Sequence, residues 1–90
     1  MNAPKVTPEM VEAEILAEDY YRPFFTITIC TLQLRNGFNV TGESACVSPE
    51  NFNEELGRKL ARNKALDKIW MLLAFRMAEQ RAQQEAQKNT

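Results

Sequence analysis

Hydrophobic and polar residues alternate in short runs in the first half of the chain and recur with helical spacing in the second half. Strand-forming residues are concentrated at about 24–35 and again at about 38–47. Asn36 and Gly37 separate these runs and are typical hairpin turn residues. The pattern therefore predicts an antiparallel β-hairpin.

The side chains favour one of two possible hairpin registers. A two-residue turn would place apolar side chains opposite polar ones on one face. A three-residue loop, with Gly37 in the left-handed conformation, instead pairs Leu34 with Phe38. It also pairs Leu32 with Val40, so that four large apolar side chains share a face. We therefore predict the three-residue loop.

Two features of the hairpin predict irregularity or close packing. Apolar positions of the first strand fall on both sides of it: Phe25, Ile27 and Ile29 on one, and Cys30, Leu32 and Leu34 on the other. This predicts either a bulge near Ile29 and Cys30 or cover on both faces of the sheet. Gly42 inside the second strand predicts a bulge or the close approach of another backbone.

Helix-start signals precede both flanking segments. Thr7 followed by Pro8 predicts a short helix from about residue 8 to 17. Ser48 and Pro49 predict a short turn before a main helix from about 54 to 80. The sequence thus predicts one α+β domain over residues 1–78, followed by a polar, frayed helical tail over 79–90.

The long helix carries two kinds of stripe. Large apolar residues form one stripe, composed of Phe52, Leu56, Leu60, Leu66 and Trp70. Small residues form a second, composed of Gly57, Ala61 and Ala65, which allows another element to approach closely. Asn63 and Asp67 interrupt the apolar stripe. They predict either a polar contact that fixes register across a subunit seam or a pair that faces a ligand.

Seven consecutive apolar residues, from Ile69 to Phe75, form a helical segment that needs cover on every side. One hairpin and one short helix cannot easily surround such a segment. We therefore expect an intertwined homo-oligomer, with a dimer favoured. The expected interface residues are Ile69, Trp70, Leu72, Leu73 and Phe75.

Composition narrows the chemistry of the chain. Its 90 residues contain 11 basic and 12 acidic side chains, so a general affinity for nucleic acid is not expected. No apolar run approaches the ~18 residues of a membrane-spanning helix. The chain has no histidine, and its two cysteines lack a CxxC spacing. We therefore expect no enzyme activity, no metal site and no cofactor.

Two clusters could bind a partner or ligand. Arg58, Arg62 and Asn63, with an aromatic such as Tyr21 or Phe38, could hold a small anion between subunits. The alternative is a solvated helix face with pairs such as Glu54 to Arg58. The aromatic cluster before the first strand, Tyr20, Tyr21, Arg22 and Phe24, has the composition of a binding hot spot but also suits simple packing.

Five segments between Tyr20 and Trp70 form a recognisable set: YYRP, TICTLQLRNGF, VTGESACVSPENF, GRKLAR and KIW. Together they resemble a family of small tailed-phage proteins named for gene products 49 and 66 of two enterobacterial phages. The family pattern then continues with Leu, Glu, Gly and an aromatic, whereas this chain has MLLAF. The resemblance implies a phage or prophage accessory protein in the cytoplasm of an infected bacterium. We expect it to bind a host or defence component; the alternative is a sponge for a small anionic ligand, such as a nucleotide signal.

Overall fold

A computed structural model describes residues 5–88 of the chain. Its elements are α1 (Pro8–Glu14), β1 (Ile15–Tyr21), β2 (Ile27–Leu34), β3 (Asn39–Ala45) and α2 (Glu54–Lys88), with a short 3₁₀ turn at Pro49–Asn51. The strands form one antiparallel sheet in the order β1-β2-β3, and α2 packs on one face of it. The predicted α+β architecture is confirmed, with one additional strand.

The additional strand replaces the end of the predicted first helix. That helix was expected over residues 8–17, but it ends at Glu14, and Tyr20 pairs with Cys30 in the sheet. The prediction was wrong because the residues after Glu14 suit a strand as well as a helix. The edge of β2 then offers them backbone hydrogen bonds that outweigh helix propensity.

The hairpin has the predicted register. Leu32 pairs with Val40, and the amide of Leu34 donates to the carbonyl of Phe38 at 2.7 Å. Gly37 has φ of +91°, which glycine adopts without a steric penalty. The strands end slightly inside the predicted limits of 24–35 and 38–47. The choice of a three-residue loop is therefore confirmed.

Of the two alternatives predicted for the first strand, the bulge near Ile29 and Cys30 is absent, because β2 and β3 pair without a shift in register. The irregularity lies in β1 instead, between Ile15 and Ala17. Thr28 occupies a buried position on the inner face of β2, so a polar residue conceals the regular alternation in the sequence. The outer face of β2 is half-buried.

The small-residue stripe of α2, not the large apolar one, faces the sheet. Ala61 and Ala65 are fully buried, and a Cβ atom at Gly42 would collide with their backbone atoms. The close approach predicted at Gly42 is confirmed. Leu56 and Leu60, by contrast, remain 51% and 44% exposed. The core consists of Val11, Cys30, Leu32, Leu34, Val40, Ala61, Ala65, Ile69 and Leu73.

The long helix continues past its predicted end near residue 80 and reaches Lys88. Alanine, glutamine and charged residues with high helix propensity dominate this extension, and Arg81 lies 3.9 Å from Glu85 one turn later. The predicted tail over 79–90 is therefore helical as far as it is described. Residues 1–4 of the predicted domain and 89–90 of the tail lie outside the described residues.

Candidate functional site

Arg62 joins three elements at the edge of the core. Its guanidinium donates to both carboxylate oxygens of Glu12 in α1, at 2.8 and 2.9 Å. It also donates to Glu18 in β1 at 3.3 Å. The hydrogen bonds from Arg62 hold the pKa of Glu12 below its ordinary value, and those to Glu12 raise the pKa of Arg62. The Arg62 guanidinium is thus already bonded to carboxylates of the same chain.

Arg58 lies one turn before Arg62 and also contacts the sheet. Its guanidinium carbon lies 5.0 Å from the centre of the Tyr20 ring, and it pairs with Glu54 at 3.2 Å. The Tyr20 hydroxyl donates to Glu18 at 2.8 Å. Burial, followed by this bond, raises the pKa of Tyr20. Arg58 and Arg62 therefore both link α2 to β1.

The five tentative ligand residues are not brought to one place. Tyr21 ends β1 at the same end of the sheet as Arg58, and both line one pocket. Phe38 lies at the opposite end, beside the hairpin turn, and Asn63 is exposed on α2. Of the tentative set, Tyr21 and Arg58 therefore share a cavity in the described part of the chain.

That cavity also includes Arg22, which the tentative site omitted. It is lined by Tyr20, Tyr21, Arg22, Thr28, Glu54 and Arg58. Its volume is about 190 Å³. Pockets for drug-sized ligands begin near ~300 Å³. Two guanidinium groups and one carboxylate give it a net positive lining, which suits a small anionic group.

Two aromatic rings lie beside Arg22 at this end of the sheet. Its guanidinium carbon lies 5.2 Å from the Phe25 ring centre and 4.8 Å from that of Phe52, and the two ring centres are 5.1 Å apart. Phe24 is 77% exposed and Val47 is fully exposed. We call this surface the aromatic end; it comprises Tyr21, Arg22, Phe24, Phe25, Val47 and Phe52.

The sequence indicated only part of the aromatic end. Tyr21, Arg22 and Phe24 are adjacent in the chain, so their cluster was visible. Phe52 joins them through tertiary packing, and Val47 through the extension of the hairpin, where the Cys46 amide donates to the Thr26 carbonyl at 3.0 Å. A run of aromatics around an arginine is the signal that points to this surface.

A second uncovered apolar region lies beside the hairpin turn. Here Leu34, Phe38, Leu72, Phe75 and Arg76 line a groove of about 460 Å³. The five residues expected at an oligomer interface fall into two groups, one buried and one at least partly exposed. Ile69 and Leu73 are buried in the chain's own core, whereas Trp70 is half-buried and Leu72 and Phe75 are exposed. Of the five, only Trp70, Leu72 and Phe75 therefore have exposed surface that a partner could cover.

Residues 5–88 contain no cluster of three or more histidine, cysteine or acidic side chains that could hold a metal ion. Burial raises the pKa of the Cys30 thiol, which makes it a poor nucleophile at neutral pH. Across the same residues, no helix is long and apolar enough to cross a membrane.

Comparison with protein families gives a match over residues 6–81 to the family described as phage protein (N4 Gp49/phage Sf6 gene 66). The chain belongs to this family. The N4 Gp49/Sf6 gene 66 match confirms the resemblance seen between Tyr20 and Trp70. It also extends that resemblance across α1, β1 and most of α2. Searches of the curated proteins and of the solved structures gave no match.

Proposed function

We propose that this phage protein is a non-enzymatic accessory protein that binds a host or defence protein in the cytoplasm of the infected bacterium. The observation that supports this function is the aromatic end. Phe24 and Phe25 both remain mostly exposed there, beside Arg22. Aromatic and arginine side chains carry most of the energy at protein interfaces.

The geometry of Arg22 suits an interface. The Arg22 guanidinium lies against both the Phe25 and the Phe52 rings, which limits its rotamers before any partner arrives. A side chain that is ordered in advance loses less conformational entropy on binding. Phe24 next to it has no comparable ring contact within the described residues and projects into solvent. Burial of Phe24 by a partner would remove this apolar surface from water.

The carboxylates around Arg62 are poorly suited to catalysis. Glu12 and Glu18 are the carboxylates brought together around Arg62, and Arg62 keeps the pKa of Glu12 low. A carboxylate with a lowered pKa is a weak general base. The chain also has no histidine to take that role. We therefore propose that these carboxylates do not act in catalysis.

The function can be tested by affinity capture from infected bacteria. A Phe24→Ser/Phe25→Ser variant removes the exposed rings, and Leu16→Ser removes an exposed leucine in β1 outside the aromatic end as a matched control. We expect wild type and Leu16→Ser to capture the same host protein in stoichiometric amount. The purified pair should bind with at least ~10-fold weaker affinity in the double variant. Equal affinity of all three proteins would overturn the proposal.

A second candidate function is a sponge for a small anionic ligand, such as a nucleotide signal. Its support is the pocket beside the aromatic end, where Tyr21 could stack on a base. Arg22 and Arg58 supply guanidinium groups that could pair with a phosphate. Glu54 already engages Arg58, so a ligand would have to compete with it.

Heat release of bound small molecules from purified protein, followed by mass spectrometry, tests the sponge. Recovery of a nucleotide would favour it. The same nucleotide should then bind more weakly to a Tyr21→Ala/Arg58→Ala variant, while Arg81→Ala, a change at an exposed arginine far along α2, should bind normally. Unchanged affinity of the double variant would remove this pocket from consideration.

A further inference from the structure

The surface of α2 that does not face the sheet carries an ordered stripe of exposed residues. Its members recur every three or four positions and therefore follow one side of the helix. They are Leu56, Leu60, Lys64, Asp67, Met71 and Phe75, and we call them the outer stripe. Met71 and Phe75 are 73% and 69% exposed. No element in the described part of the chain covers these four apolar side chains fully.

The outer stripe is symmetric about its centre. The midpoint lies between Ala65 and Leu66, and the residues on either side of it form matched pairs. Two apolar residues at each end of the stripe flank two central residues of opposite charge. The pairs that lie at equal distances from the midpoint are Leu56 with Phe75, Leu60 with Met71, and Lys64 with Asp67.

Symmetry of this kind matches a helix that packs antiparallel on its own copy. A two-fold axis at the midpoint brings each residue opposite its matched residue in the second chain. Lys64 then faces Asp67 of the copy, and the contact occurs twice. Asn63 and Lys68 lie at equal distances from the midpoint as well, so no like charges meet in the centre.

We propose that the protein forms a homodimer in which two α2 helices pack antiparallel through the outer stripe. Leu56 and Leu60 of one chain cover Phe75 and Met71 of the other. The central Lys64–Asp67 contacts fix the register, as polar residues do in coiled coils. In a parallel arrangement Lys64 would face Lys64, which like-charge repulsion disfavours. This inference goes beyond the proposed function, since the aromatic end takes no part in the contact.

Sedimentation equilibrium of the wild type and two charge variants tests the dimer. We expect the wild type to be dimeric at ~100 μM, and Asp67→Lys to raise the dissociation constant at least ~10-fold through repulsion between lysines. The swapped variant, Lys64→Asp/Asp67→Lys, restores opposite charges in the antiparallel arrangement. It should return the dissociation constant to within ~3-fold of the wild type.

Phe24→Ser serves as the control, because it lies outside the outer stripe and should leave the dimer intact. Circular dichroism confirms folding of each variant, since all altered side chains are exposed. A monomeric wild type at ~100 μM would overturn the proposal, as would an Asp67→Lys variant with an unchanged dissociation constant. Failure of the swapped variant to recover would overturn the antiparallel register.

Discussion

The two sides of α2 differ in what they contact and in how they are built. The inner side presents Ala61, Ala65, Ile69 and Leu73 to the sheet, and all four are buried. The outer stripe has side chains that are larger on average and that remain in water. A helix therefore does not choose its buried side by apolar area alone. The small-residue side of α2 is buried because it fits the sheet more closely, so that the two backbones can come into contact.

The two sides also differ in where they carry charge. None of the four residues buried on the inner side is charged, whereas Lys64 and Asp67 lie in the middle of the outer stripe. A surface that mixes exposed apolar groups with charges of both signs is typical of an interface rather than of a core. This difference supports the proposal that the inner side holds the domain together and the outer stripe meets a second copy.

The largest expected effect tests the close approach on the inner side. Gly42→Val would direct a branched side chain into the carbonyl oxygen of Ala61 and the amide nitrogen of Ala65. These are backbone atoms, so α2 must move away from the sheet. We expect a loss of roughly 4 kcal/mol in the free energy of unfolding, or failure to fold, measured by urea denaturation.

Thr41→Val is the control for this change, because Thr41 is exposed on the opposite face of the same strand. Valine favours strands, so the free energy of unfolding should stay within ~0.5 kcal/mol of the wild type. A Gly42→Val protein as stable as this control would show that stability does not depend on the close approach of α2 to the sheet.

A second prediction compares one residue from each side of α2. Ile69 is fully buried, so Ile69→Ala should lower the free energy of unfolding by about 3 kcal/mol at any protein concentration. Met71→Ala should cost less than ~0.5 kcal/mol in dilute protein. Its cost should grow as the concentration rises, because only the dimer covers Met71.

Urea denaturation at two protein concentrations separates these effects. A cost for Met71→Ala that is independent of concentration would count against cover by a second chain. An equal cost for both substitutions in dilute protein would contradict the distinction between the inner and outer sides.

A third prediction, with a smaller effect than Ile69→Ala, concerns the ion pairs at the edge of the inner side. Arg62→Gln removes the bonds to Glu12 and Glu18, and we expect it to cost about 1 kcal/mol at neutral pH, because these groups are partly exposed. Arg62→Lys keeps the charge but loses the paired hydrogen bonds, so it should fall between wild type and glutamine.

The pH dependence of stability follows from the pKa of Glu12. Its folded pKa lies below the ordinary value of 4.5, so its contribution is fully present above that value. The contribution is lost as the pH falls through the folded pKa. The stability difference between wild type and Glu12→Gln should therefore be constant near neutral pH and shrink below about pH 4.5. A difference that grew on acidification would contradict this assignment.

Local residues were sufficient to predict the hairpin. Gly37 allows the left-handed turn, and the pairing of Leu32 with Val40 follows from the need to place apolar side chains together. The helix starts were also predictable, since Thr7 caps α1 and Asn53 accepts from the Leu56 amide at 3.0 Å. These features depend on residues that are near one another in the sequence.

The candidate surfaces were only partly predictable. The cluster around Arg22 was visible as adjacent aromatics, but Phe52 reaches it from a distant segment. Arg62 had the spacing of an anion site, yet Glu12, fifty residues earlier, occupies its guanidinium. Such pairings depend on how the elements pack, and helical spacing alone does not report them.

By itself, the sequence determined the helix starts, the hairpin and its register, because turn conformation, capping and side-chain alternation act over a few residues. Tertiary structure decided that Ile15–Tyr21 joins the sheet, since only β2 supplies its backbone partners. It also decided which side of α2 is buried. That choice depends on the fit between Gly42 and the alanines of α2, a contact between segments far apart in the chain.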